Sequence, residues 1–152
     1  MRRRTALACL ATIAVADYVI RRRTPRWIVA GLFDHPAHVA TAMLIHPKGD
    51  AAYLAGSLLP DLDHIPLALR AVHPDPGDPR PLTHCLLTVA PVAALSKATA
   101  AGMLAHFARD LGVGTGVPLL WPATPRSIRV PYALYAAGCL LAARRATLVD
   151  GL

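Results

Sequence analysis

A chain of 152 residues has room for one domain and one compact site, so a multidomain assembly is excluded at the outset. Hydrophobic residues make up 55% and charged residues only 16%, against about 25% charged in ordinary soluble domains, which rules out a disordered polar chain. The net charge of +7 comes from 16 Lys and Arg set against nine Asp, with no Glu, Gln or Asn anywhere, and the basic residues form short clusters rather than one stripe. Nucleic-acid binding is therefore not expected. Basic clusters at the ends of apolar segments suit anionic lipid headgroups instead.

Taken in order, the chain opens with Arg2, Arg3 and Arg4, then an apolar run to Asp17, then a second triple-Arg block at Arg21 to Arg23. Two readings stay open: a short retained anchor helix over 5–22, or a secretory signal cleaved near Ala14-Val15-Ala16. Asp17 would lie near the far membrane interface. The domain organisation that follows is residues 1–25 as a basic-flanked anchor or signal-like segment, 26–145 as one helical domain, and 146–152 as a short tail.

Further helices are expected at 26–46, 50–71, 81–95, 98–111 and 131–145, because Pro and Gly divide the sequence into helical pieces and β-branched alternation is missing. The fold class is all-α, a bundle of five to six helices associated with a membrane and carrying a polar His/Asp site in its core. Residues 82–108 carry Lys97 as their one formal charge and read as a helical hairpin turning near Ser96. Two loops are expected, at 73–81 and 112–131, and the second is long enough to cover or shape a site. Trp121 within it reads as an interfacial or packing aromatic. Cys9, Cys85 and Cys139 are odd in number and far apart, so they read as buried apolar residues, not a disulfide framework.

The chemistry resides in ionisable residues that interrupt these apolar segments. Asp34 and His38, and likewise His106 and Asp110, stand four apart, on one helical face in each case. Asp61, Asp63 and His64 follow Pro60, and Arg80, Thr83 and His84 open the fourth segment. Buried carboxylates and imidazoles are costly unless partnered, and together they are the ligands of zinc and related first-row metals. Helical bundles build metal sites in this way, from side chains on facing helices. His35 falls off the Asp34/His38 face, His46 and His73 sit beside prolines at segment ends, and Asp50, Asp75, Asp78 and Asp150 are loop or terminal charges; none of these is expected in the site.

Three stretches, GSLLPDLDHIP at 56–66, PRPLTHCLL at 79–87 and GMLAHFARDLGVGTGVPLLWP at 102–122, resemble in order and spacing the YdjM-type, LexA-binding family of bacterial inner-membrane metal-dependent hydrolases. The resemblance covers residues 30–122, and DHPAHVAT at 34–41 looks like that family's early His-containing element. In the family the fourth segment reads HR followed shortly by THS; here it runs Asp78-Pro79-Arg80-Pro81-Leu82-Thr83-His84-Cys85, without the first His and the closing Ser. The resemblance implies a multi-pass protein of the bacterial inner membrane with metal ligands at Asp61, Asp63 or His64, His84, His106 and Asp110, and the early element supports His38; the ligand set expected is His38, Asp61, His84, His106 and Asp110. The resemblance also suggests contact with a DNA-bound repressor, which no residue in this chain supports.

The function this predicts is hydrolysis of an ester or phosphoester, of a small molecule or a membrane lipid, by water activated at one or two divalent ions, zinc first and manganese or iron as alternatives. Asp63 or His64 would act as general base or orienter, Arg80 would hold a phosphate oxygen, and Thr83 would donate a hydrogen bond. Two alternatives are a protein that binds, senses or moves a metal ion without turnover, and a structural bundle whose polar groups only tie helices together.

Overall fold

The computed structural model describes residues 1–23, 27–63, 65 and 83–148. Over these the chain is all-helical, with six α-helices: α1 (Arg3–Tyr18), α2 (Trp27–Ile45), α3 (Ala51–Gly56), α4 (Leu86–Leu95), α5 (Lys97–Val113) and α6 (Tyr132–Leu148). A π turn, Val19–Arg23, extends α1, and a 3₁₀ turn, Leu59–Asp63, follows α3. Beyond Pro and Gly, the sequence offers Ala and Leu in quantity, and these are strong helix formers.

Two packed layers make the core. In the first, α1, α2 and α6 meet along small residues at helical spacing: Ala6, Cys9, Ile13 and Ala16; Ala37, Ala40 and Leu44; and Tyr135, Cys139 and Ala143. In the second, Val89 of α4 packs on Ala100, Met103 and Phe107 of α5 and on Val117 of the loop that follows. The hairpin turns where expected: Ser96 ends α4, and its hydroxyl accepts from the Thr99 amide to cap α5. The three cysteines are free and buried.

The expected helix over 50–71 is not continuous. Asp50 caps α3 by accepting from the Tyr53 amide, but α3 ends at Gly56, because Pro60 has no N–H to continue the ladder and the backbone turns into the 3₁₀ segment. The loop expected at 73–81 lies outside the described residues. The long loop after α5 does carry order: Val117 and Ile128 exchange backbone hydrogen bonds, and the Leu119 carbonyl accepts from the Leu86 amide. Through Val117 it packs on the α4/α5 layer.

Among the described residues one helical stretch, Ile28–Ile45 in α2, is long and apolar enough to cross a membrane, with mean hydropathy 1.4 over 18 residues and a third of it buried inside the protein. The other helices are 17 residues or shorter, so the expected multi-pass arrangement finds one span of sufficient length. The outward faces are nevertheless apolar: Leu7, Val15 and Tyr18 on α1, Leu86, Leu87 and Leu95 on α4, and Leu134, Leu140 and Leu141 on α6 are all exposed.

Candidate metal centre

The site is positioned by a backbone crossing. At Gly102 a Cβ would collide with the Tyr53 carbonyl and come within 2.9 Å of the Gly56 Cα, so α3 and α5 touch backbone to backbone only because both residues are glycine. One helical turn beyond Gly102, His106 is fully buried and donates from Nδ1 to the Ser57 carbonyl at 2.8 Å. A carbonyl can only accept, which places the ring proton on Nδ1 and leaves the Nε2 lone pair facing inward.

His84 is oriented by a second relay. Thr83 Oγ1 donates to Asp63 Oδ2 at 3.0 Å, and His84 Nδ1 lies 2.7 Å from that hydroxyl oxygen. With its one proton given to the carboxylate, the hydroxyl accepts from His84, and the His84 Nε2 lone pair likewise turns inward. The two Nε2 atoms then face each other at 3.3 Å. Two lone pairs at that distance repel unless a proton or a cation lies between them.

Two carboxylates converge on the same point. His106 Nε2 is 3.0 Å from Asp110 Oδ2 and 3.7 Å from Asp61 Oδ1, while His84 Nε2 is 3.5 Å and 3.6 Å from the same two oxygens. Ligands bound tetrahedrally at about 2.0–2.1 Å stand roughly 3.3 Å from one another, so these separations fit a cation and are mostly too long for hydrogen bonds. His38 makes the same point separately. It is 1% exposed, neither ring nitrogen has a hydrogen-bond partner, and Nε2 is 3.4 Å from Asp110 Oδ1, 3.6 Å from Asp34 Oδ2 and 3.8 Å from Asp61 Oδ2. The buried His/Asp groups can hold a metal ion: Asp61 with His84 and His106, and His38 with His106 and Asp110.

All five residues expected as ligands, His38, Asp61, His84, His106 and Asp110, are thus brought together from α2, the 3₁₀ turn, the Thr83-His84 turn and α5. Asp63 and Thr83 stand behind His84 and set its ring. His64 and Arg80 lie outside the described residues.

Outside the two metal-binding groups, His35 Nε2 lies 3.4 Å from Asp61 Oδ2, at the exposed edge of the cluster. Asp17 is 3% exposed inside the protein, where it accepts from the Tyr132 hydroxyl at 2.9 Å and ion-pairs with Arg109.

Arg109 is the residue that sequence reasoning missed. It is fully buried; Nε donates to Asp34 Oδ1 at 2.8 Å, Nη1 donates to the Tyr135 hydroxyl at 3.0 Å, and Nη2 sits 2.7 Å from Asp34 Oδ1 and 2.9 Å from Asp17 Oδ1. The Nη2 contacts are ion pairs by distance, without hydrogen-bond alignment. Asp34 therefore points one oxygen at Arg109 and the other at His38. The signal was available: a lone Arg in an apolar helix, and a lone Asp in another, call for each other.

Exposure rises across the cluster, from 10% for the side chains of His84 and Asp61, through 18% for Asp110 and 32% for Asp34, to 46% for His35. The site therefore opens at the α2 side, past Asp34 and His35. No protein-family model, curated protein or solved structure matches the chain.

Proposed function

We propose that this chain is a membrane-bound, metal-dependent hydrolase of the bacterial inner membrane, acting on an ester or phosphoester, including one carried by a lipid. One observation carries the metal reading: the His84 and His106 Nε2 lone pairs are aimed at each other at 3.3 Å, with two carboxylates aimed at the same point. The chemistry a divalent ion supplies there is polarisation of the scissile bond and lowering of a water's pKa from 15.7 to about 7.

The chain's own residues do the rest. Ser57 and the Thr83–Asp63 pair hold the two imidazoles in one tautomer and one orientation. Arg109 fixes Asp34 at the open side, with its second oxygen turned toward His38. The apolar wall around His84 and His106 includes Phe107, which excludes bulk water from the buried side.

Membrane attachment is supported by where charge is absent. Between Arg4 and Arg21 the outward face of α1 and its π turn is uncharged over 16 residues, about 24 Å at 1.5 Å per residue, approaching the roughly 30 Å of a hydrocarbon core. Met1 donates to the Ala146 carbonyl, and Met1, Lys48 and Arg145 line one pocket, so Arg2 to Arg4 gather with Lys48 and Arg145 at one end of the bundle. Arg21, stacked 4.0 Å over the Tyr132 ring, leads the basic group at the other. Asp17 and Tyr132 also sit at that second end, and the cluster's partner Arg109 binds Asp17, which brings the site toward a basic rim that suits an anionic headgroup.

The test is metal-dependent turnover of a generic phosphoester by the purified protein, compared with His106→Ala at unchanged helix content. Turnover lost in the variant supports the hydrolase. Metal flux into vesicles with no turnover would replace it by an ion-moving function.

A further inference from the structure

The two metal-binding groups share His106, yet an imidazole nitrogen has one lone pair and serves one ion. Carboxylates do not have that limit, and the two at the centre are divided. Asp110 presents Oδ2 to His106 and His84, at 3.0 and 3.5 Å, and Oδ1 to His38 at 3.4 Å. Asp61 presents Oδ1 to His84 and His106, at 3.6 and 3.7 Å, and Oδ2 to His35 and His38, at 3.4 and 3.8 Å. Each carboxylate has one oxygen on either side of the same dividing plane.

The imidazoles divide in the same way. The His38 and His106 rings are stacked with centroids 3.7 Å apart and planes 7° from parallel, so the two imidazoles lie face to face. Paired catalytic ions sit about 3.5–4 Å apart, the same spacing. The second side also offers donors of its own: His38 Nε2 without a hydrogen-bond partner, Asp34 Oδ2 at 3.6 Å from it, and His35 Nε2 at 3.4 Å from Asp61 Oδ2.

We infer that the cluster is a two-metal site, bridged by Asp61 and Asp110, in which His84 and His106 complete one position and His35, His38 and Asp34 the other. This rests on the reading that the cluster binds metal, and it deepens that reading. The second position is the more exposed and faces the opening, so substrate would arrive there first, at the position that includes His35.

The experiment loads the full chain, purified in mild detergent, with manganese alone and reads metal content and the electron paramagnetic resonance spectrum. The wild type is expected to hold two Mn per chain with an exchange-coupled signal. His35→Ala, an exposed position whose replacement leaves the core intact, is expected to fall to one Mn per chain with the six-line signal of an isolated ion. One uncoupled Mn in the wild type would overturn the pair, and a variant that keeps two coupled ions would overturn the place given to His35. Two coupled ions without phosphoester turnover would support the pair and remove the hydrolase; one ion with turnover would do the reverse. No manganese bound at all would remove both.

Discussion

Replacing Arg109 by Met tests how the bundle holds its charges. Arg109 is fully buried and is the shared partner of Asp17 and Asp34, which belong to α1 and α2. Asp34 is about a third exposed, so water can take over much of its lost interaction. Asp17, at 3% exposed, keeps only the Tyr132 hydroxyl and has no such recourse. The cost is therefore set by leaving one buried carboxylate uncompensated, about 3–5 kcal/mol. For a chain of this size that corresponds to a fall in melting temperature of roughly 10 °C. The assay is a thermal melt in detergent of wild type, Arg109→Met, Asp17→Leu and the double variant. Removing both partners exchanges an ion pair for apolar packing, so the double variant is expected to melt above Arg109→Met. A single variant within about 2 °C of wild type would refute the argument, since that is the range of a surface substitution.

Other outcomes follow from the same geometry. Gly102→Ala forces α3 off α5 and is expected to cost about 1–3 kcal/mol and weaken metal binding through the loss of the Ser57–His106 bond, read by melting and metal titration together. Thr83→Val removes the hydroxyl that orients His84 and is expected to weaken metal affinity by about 10–100-fold against a chelating indicator, with Thr83→Ser restoring it. A chelator is expected to lower the melting temperature, and readdition of the ion at about 100 times its Kd is expected to restore about 2.7 kcal/mol. Leu140→Asp, on the outward face of α6, is expected to shift the protein out of the membrane fraction, because an Asp at mid-helix costs about 2.5–3.5 kcal/mol in lipid.

The helices and the two four-apart Asp/His pairs were legible because both are local. Pro, Gly and Ser mark the helix ends, and spacings of four residues put Asp34 with His38 and His106 with Asp110 whatever the tertiary fold. The close approach of α3 and α5 was less legible. It depends on Gly56 meeting Gly102, forty-six positions away, and no spacing within either segment encodes that. The approach of His35 to Asp61 was not legible either, because helical angle ranks faces within one helix and says nothing of residues on another element. Arg109 was passed over for a related reason: its partners lie on α1 and α2, and a guanidinium in an apolar helix declares a need for counter-charges without saying where they are. What made Asp63 and Thr83 look catalytic, their position beside ligands, is also what lets them orient His84.

The inward-facing lone pairs on His84 and His106 and the unpartnered His38 imidazole, together with the Asp61 and Asp110 carboxylates, are there for a cation. Elemental analysis of the protein purified in mild detergent at neutral pH, wild type beside His106→Ala, tests it most directly. The account predicts a stoichiometric divalent metal in the wild type and its loss from the variant at unchanged helix content. A wild type that holds no metal as isolated, and takes up none when zinc or manganese is supplied, would contradict it.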